Sequence, residues 1–568
     1  MKNFPYDGNP NDRENLIYRD FEAHADAFVR DTLGSYMPQH YSRSKVIHDC
    51  VWGSVMFYPW ELQIMDSPLL QRLRRINQLG LAMYTYPSAH HSRFEHTLGV
   101  VAVAEKMMSS IKSGVWGDPS DSFTICSEHS YMIRMAALLH DVGHCFFSHL
   151  SEGIYSETEQ FRELKDSFLI FRKAQAHEIL GYIIINTPTF VSFFREHTNY
   201  PYKGRTRSST ELLLKNIGRI IVGAHIEPYT DSENNTVLPY YLTEIINGQF
   251  DADALDYLKR DSYATGLDLT YNLDRFLYKI RIVEKQEMSE GKPLIGFHLT
   301  IPTSGVSTVE EMMYNKQMLT RYIYQHQKVM TLDSIVCDIA HGLIRSGKLS
   351  HPCDFLYFTD DSIYMLEDRG EGFTLALAKT KVDDKTEKTI SELVQKISSR
   401  DLPKKALVIN SQTVYAIDGN KSCTAQDIAE FIRKHKHCLR LEIYKEAQLI
   451  NEKYCNGNFK FDMYDIHIAV PKYSLAKDYS AVYVLSGDNN FVPISEVMNL
   501  NDLADTYADF SWNAYIFADS SILAPVSLAA THVLEKLGAK FHKSALSHLK
   551  HYDSILALET KNTHGDNT

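Results

Sequence analysis

Residues 131–150 read YMIRMAALLHDVGHCFFSHL. A run this apolar is a buried helix, and it closes on His140-Asp141, a pair that a purely apolar core does not call for. An imidazole nitrogen and a carboxylate oxygen are ligands that Mn²⁺, Mg²⁺, Fe²⁺ or Zn²⁺ accept. Adjacent helical side chains diverge by about 100°, so the pair converges on an ion lying between them. His144 comes one turn later on the His140 face, and His149 follows after FFS. A core histidine hydrogen-bonded to a carboxylate would look the same locally, so a metal reading needs ligands from elsewhere.

Two stretches offer them. In RFEHTLG (93–99) His96 opens a helix whose next turns, VVAVA, must be buried. In DADALDYLKRD (251–261) Asp253, Tyr257 and Asp261 recur every four residues and line one helical face, with Asp256 and Arg260 displaced from it. Together these suggest a His, His, Asp, Asp site with water at the open positions. Plainer readings exist for each: FEH as a helix-start cap, and the aspartates as partners of the helix dipole. The histidines of KHKHCLRLE (434–442) read as a solvated basic face, and the glycines form no phosphate-binding fingerprint.

Around this centre, helical spacing runs from Lys45 to about Ser346, interrupted by GVWGDPSDS (114–122) and by an exposed polar loop at 194–209. Residues 1–44 are polar and read as a loosely packed arm. After 350, FLYFTDDSIYML, GFTLALAKTKV, KALVINSQTVYAI, DIHIAVP, SAVYVLS and WNAYIFA read as strands, DIAEFIRKHKHCLRLEIYKEAQLI as a helix, and LAPVSLAATHVLEKLGAKFHK as a terminal helix. The expected fold is mainly α: a helical core at 45–346, an α+β region at 347–470 and an α+β extension at 471–568.

Composition narrows the classes. At 568 residues about two to four domains are expected. Hydrophobic residues at 44% and charged ones at 23% exclude a largely disordered chain. Net charge is 59 − 71 = −12, which disfavours a bulk nucleic-acid coat. No uncharged apolar run approaches the length of a bilayer span, and the first twenty residues carry no signal-like apolar run. Eight cysteines without a CxxC pair point to a reducing, cytoplasmic setting.

Taken in order, KVIHD (45–49), DSPLLQRLRRINQLG (66–80), YPSAHHSRFEHTLGV (86–100), LLHDVGHCFFSHLSEG (138–153), AHE (176–178), FDADALDYLKRDSYATG (250–266) and YQHQKV (324–329) resemble the HD-domain phosphohydrolases. Within them the chain is most similar to the deoxynucleoside triphosphate triphosphohydrolases. The resemblance covers about residues 45–345 and implies metal ligands His96, His140, Asp141 and Asp253. It puts His144, His149, His177, Glu152, Glu178 and Arg93 near the scissile phosphate. Gln78, Leu79, Tyr257, Asp261, Lys316 and Tyr324 fall at substrate-binding positions. Lys45, Asp66, Gln71 and Arg74 match positions that bind an activating guanine nucleotide in regulated relatives, which resemble dimers of dimers; a homo-oligomer, dimer or tetramer, is therefore expected. The chain departs from the vertebrate pattern at Ala254 (lysine there), Lys316 (arginine), Gln327 (a basic residue) and His48 (often asparagine). Lysine cannot reproduce arginine's two-donor grip.

The expected activity is metal-dependent hydrolysis of a dNTP to deoxynucleoside and tripolyphosphate. The alternatives are an HD-type phosphodiesterase or nuclease, to which Ala254, Lys316 and the basic GRTR loop (204–207) lend weight, and a non-enzymatic nucleotide-sensing scaffold.

Overall fold

The computed structural model describes residues 2–5, 7, 9, 11–114, 123–198, 207–230, 234–289, 292–366, 384–420, 423–471, 483–486, 490–498, 512–542, 553–555, 557–558 and 560. The strand expected at 372–382, residues 115–122 of the first break and residues 199–206 of the loop expected at 194–209, with most of its GRTR run, lie outside them; the ends of that loop belong instead to helices Pro188–His197 and Arg207–Ile221.

Helices dominate, as expected. One apolar core gathers residues from Tyr18 to Leu402, joined by Val484 and Ile494; a second runs from Ala406 to Leu558. The first is the helical body. Helices Arg93–Ser113, Ser127–Leu139, Ala176–Asn186, Arg207–Ile221 and Ala252–Thr265 pack around one another. The second is the smaller α+β portion. Its three-stranded sheet has Ala514–Ala518 between Lys404–Ile409 and Ile466–Ala469, all antiparallel. The long helix Ala425–Cys455 and the helix Leu523–Lys536 pack together beside this sheet. Asp338, on helix Gln327–Arg345, fastens the two portions. It accepts both Arg440 nitrogens at 2.6 and 3.0 Å and lies 3.0 Å from His467 Nδ1.

Several expectations are corrected. The 1–44 segment is no loose arm: Arg13–Leu33 is a helix whose Tyr18, Phe21, Ala25, Phe28, Val29 and Leu33 are buried. Their three- and four-residue spacing was masked by the polar residues between them. The 45–346 region is not uniformly helical. Lys45–Asp49 and Gly53–Phe57 form an antiparallel hairpin, and Arg281–Ser289 pairs with Lys292–Thr300 in a four-stranded sheet. PLLQRLRR gives only a one-turn helix at Pro68–Gln71 followed by a 3₁₀ turn. FLYFTDDSIYML is not a strand: Pro352–Tyr357 is 3₁₀ and Asp360–Tyr364 is helical. Pro352 at the first position and Thr359 in a capping box start these turns. The helix expected to end the chain stops at Lys536; Gly538 takes φ +111°, and Ala539–Phe541 then pairs with the Val414–Ile417 strand.

Candidate metal centre

Three helices deliver the four expected ligands. The apolar helix Ser127–Leu139 ends at His140 as its C-cap, so His140–Ser148 is a chain of turns and His144 does not share a helical face with His140 as expected. Asp141 nevertheless meets both histidines, its Oδ1 3.2 Å from His140 Nε2 and 3.3 Å from His144 Nε2. At the start of the Arg93–Ser113 helix, Ser92 and Glu95 form the capping box, which frees His96 to face inward, completely buried. At the third helix Asp251 is the N-cap, accepting Ala254 N–H at 2.7 Å, and Asp253 turns to His96, Oδ1 to Nε2 2.9 Å.

Ligand atoms of His96, His140 and Asp141 lie within 4.8 Å of one another, and Asp253 meets the group at His96. The protonation pattern tests whether these residues suit a cation. His140 Nδ1–H donates to Ala137 O at 2.8 Å, and His96 Nδ1–H to Asp256 Oδ2 at 2.7 Å. Each anchored Nδ1 turns Nε2 inward: His140 Nε2 is buried without a hydrogen-bond partner, and His96 Nε2 faces Asp253 Oδ1 at 2.9 Å. Burial holds His140 neutral. Burial would also lower His96, but Asp253 and Asp256 push it up to about 10; this acidic nest draws in positive charge, and a divalent ion can supply it in place of a proton. Asp141 is held well below the usual carboxylate range: burial opposes this, but Arg93, His140 and His144 outweigh it. The residues fit a divalent ion.

Sequence reasoning missed the support beneath His96. Asp256 is fully buried; besides His96 it takes Arg260 Nε at 2.8 Å and the indole N–H of Trp52. Arg260 in turn reaches Asp49 at 2.9 Å. The signal was available, since Asp256, though displaced from the Asp253 face, is its neighbour three residues on, near enough for both to reach one imidazole. Gly99 makes room for this layer, because a Cβ there would overlap the Asp256 carboxylate and the Arg260 guanidinium. Gly143 does the same for the His140–Ser148 turns, whose backbone lies on that of His177 and Gly181.

Beside the ligands sits a second trio. His144, His149 and His177 bring their nitrogens within 4.8 Å, and Glu152 binds His149 Nδ1 at 2.7 Å and His177 Nδ1 at 3.2 Å. Rings of His144 and His177 stack at 3.8 Å, so their in-plane lone pairs do not converge. Burial works against the charge on His177, yet Glu152 pushes it up to about 9, while burial and Arg93 hold His144 neutral. Glu178 is separate from this trio. It caps Gln175 N–H at 2.7 Å and accepts from Asn247 Nδ2 at 2.9 Å, and burial pushes it up to about 7.

Arg93 donates to Asp141 Oδ2 at 3.0 Å and to Ser148 Oγ at 2.9 Å, and its buried Nη2 has no partner. Gln78 is buried with Oε1 unpartnered, next to half-buried Leu79. Asp261 takes Tyr324 Oη at 2.7 Å and His91 Nε2 at 2.9 Å; His91, also buried, was not singled out from the sequence. Tyr324 ends a π-helical turn, Thr320–Tyr324. Tyr257 and Lys316 are half-buried, on helices Ala252–Thr265 and Val306–Leu319. The four activator candidates fall into two contacts. Lys45 lies 4.1 Å over the Tyr41 ring, and Tyr41 donates to Asp66. Gln71 accepts Arg74 Nε at 2.7 Å and donates to Met65 O at 2.9 Å, while Arg74 covers the Phe94 ring.

A third cluster lies far from these in sequence. Asp20, His24 and His351 also place ligand atoms within 4.8 Å of one another, where helix Arg13–Leu33 meets the Pro352–Tyr357 turn. No helix among the described residues is long and apolar enough to cross a membrane.

Comparison with known proteins agrees with the geometry. Residues 93–260 match the HD domain family, a span that includes all four candidate ligands. The chain is 25% identical over 302 residues to the deoxynucleoside triphosphate triphosphohydrolase SAMHD1 of Bos taurus, covering 52% of this chain and 46% of that protein. It is 26% identical over 321 residues to SAMHD1 of Homo sapiens (54% and 47%). To the uncharacterized protein MJ1154 of Methanocaldococcus jannaschii it is 29% identical over 293 residues (51% and 48%). The chain thus spans about half the length of the curated relatives it matches. Residues 93–260 thus match the HD domain family, and about half of the chain is similar to SAMHD1.

Proposed function

We propose that this chain is a metal-dependent hydrolase that converts deoxynucleoside triphosphates to deoxynucleoside and tripolyphosphate. The observation that carries the reading is the pair of buried, inward-facing Nε2 atoms of His96 and His140, each set by an anchored Nδ1, beside Asp141 and Asp253. Bound there, Mn²⁺, Mg²⁺, Fe²⁺ or Zn²⁺ would acidify a water and polarise a phosphoryl oxygen. The protein's own groups supply the rest. Arg93 presents a free Nη2 beside Asp141, where charge builds on phosphate oxygens. His177, kept protonated by Glu152, is placed to give a proton to the leaving oxygen, and His149, 61% exposed, stands at the mouth. Gln78, Leu79, Tyr257, Asp261, Lys316 and Tyr324 would hold the sugar, base and outer phosphates. A cytoplasmic homo-oligomer, activated by a guanine nucleotide at Lys45, Asp66, Gln71 and Arg74, completes the reading.

The test is direct. Purified chain loaded with Mn²⁺ is incubated with each dNTP, with and without GTP, and products are read by ³¹P NMR. Tripolyphosphate and deoxynucleoside are expected. Orthophosphate or pyrophosphate instead, or no turnover of any dNTP, overturns the proposal. Mononucleotides released from cyclic or single-stranded substrates would favour the phosphodiesterase or nuclease reading.

A further inference from the structure

Asp360 lies a hundred residues beyond the HD domain match and is 3% exposed, and both of its oxygens accept backbone amides. Oδ1 accepts the backbone N–H of Phe147 at 2.6 Å, and Oδ2 accepts that of Asn77 at 2.9 Å. These two amides belong to the two loops that carry much of the site. Asn77 precedes Gln78 and Leu79; Phe147 precedes Ser148 and His149. Phe147 and Ser148 hold φ +50° and +56°, a conformation that side-chain-bearing residues seldom keep without outside support. Ser148 Oγ then donates to Asn77 O at 2.6 Å and accepts Arg93 Nε at 2.9 Å. The neighbours of Asp360 cover the same loops. Tyr364 meets the Phe147 ring edge-on and contacts Tyr84 Oη, and Phe355 stacks on Phe146.

We propose that Asp360 is a positioning residue for the hydrolytic site: its carboxylate clamps the Asn77 and Phe147 loops together so that Arg93, through Ser148, is aimed at the phosphate. The segment 352–364 therefore completes a site that the HD domain alone does not close. This rests on the function proposed above. A carboxylate suits the task because both oxygens only accept; in Asp360→Asn one of them becomes an N–H₂ set against a backbone N–H.

The test compares full-length wild type, Asp360→Asn, Ser148→Ala and, as a control, Asp361→Asn, whose parent side chain is exposed. Amide hydrogen exchange of peptides covering 74–82 and 144–150 is measured alongside kcat, KM and bound Mn²⁺. Asp360→Asn should exchange about tenfold faster in those two loops only and lose about 10- to 100-fold in kcat, with KM within threefold and bound Mn²⁺ unchanged. Ser148→Ala should reproduce the kcat loss, and Asp361→Asn should match wild type. Unchanged loop exchange, kcat within twofold of wild type in Asp360→Asn or Ser148→Ala, or loss of metal together with activity overturns the proposal. If Asp360→Asn does not fold, Ser148→Ala decides by the same criteria. If wild type hydrolyses no dNTP, the proposed function fails, and loop exchange alone decides the clamp.

Discussion

Among the described residues two clusters contain two histidines and one aspartate whose ligand atoms lie within 4.8 Å of one another, and they differ in where the protons sit. At His96, His140 and Asp141 the outer imidazole nitrogens donate to Asp256 and to the Ala137 carbonyl, so the inner nitrogens face the cluster, where a cation can take the place of a proton. At Asp20, His24 and His351 the arrangement is reversed at His351, while His24 Nδ1 lies 2.8 Å from the Asp20 carbonyl. His351 Nδ1 accepts the Cys353 N–H at 3.1 Å, which puts the ring proton on Nε2, toward Asp20 Oδ2 at 3.3 Å. The His24 and His351 rings also stack face to face, 3.9 Å apart and 11° from parallel, so an ion between them would lie out of both ring planes. Proximity of donors is thus a poor guide by itself. The hydrogen bond on the far nitrogen decides whether an imidazole is a ligand or a proton donor.

The contrast can be broken in three places. Asp141→Ala should have the largest effect: bound Mn²⁺ lost by elemental analysis and dNTP hydrolysis down by about a thousandfold or more. If metal content survives in this variant, the first cluster is not the metal centre. Asp256→Asn keeps an acceptor for His96 Nδ1–H but removes its charge and weakens the Arg260 pair. Mn²⁺ affinity by calorimetry should fall about 10- to 100-fold with all four ligands in place. The smallest effect belongs to the second cluster, where His351→Asn should leave metal stoichiometry unaltered and change only acid stability. Burial and the neighbouring His24 push His351 down to about 4. Protonation therefore favours the unfolded chain, and the native neutral form is fully stabilising above pH 6.5. That stability, at most about 3 kcal/mol, is lost as pH falls from 6.5 toward 4. Asparagine can still accept the Cys353 N–H, so the variant's Tm should fall less over that interval; an identical pH profile would remove His351 as the titrating group.

The ordered motifs between Lys45 and Val329 were legible because a site assembled from several helices leaves its polar residues stranded in apolar runs. His140-Asp141 after MAALL is the plainest instance, and His96 ahead of VVAVA is another. Residues that act on other protein groups were hard to see. Asp256 looked like one more acid in an amphipathic helix, and Asp360 sat in a stretch whose aromatic and β-branched residues suggested a strand. Helix Arg13–Leu33 went unseen for a related reason: its core contacts use only a few apolar positions in a polar segment. Short-range pattern reports which face is buried. It does not report which distant backbone amide a buried carboxylate will meet.

The close approach at Gly99 carries a consequence for judging relatives of this chain. A single extra methyl there pushes against the carboxylate that orients His96 while changing none of the coordinating residues. Such a protein would pass any inventory of expected ligands and still be catalytically silent. Annotation by ligand tally should therefore also ask whether glycine stands three residues after the first histidine.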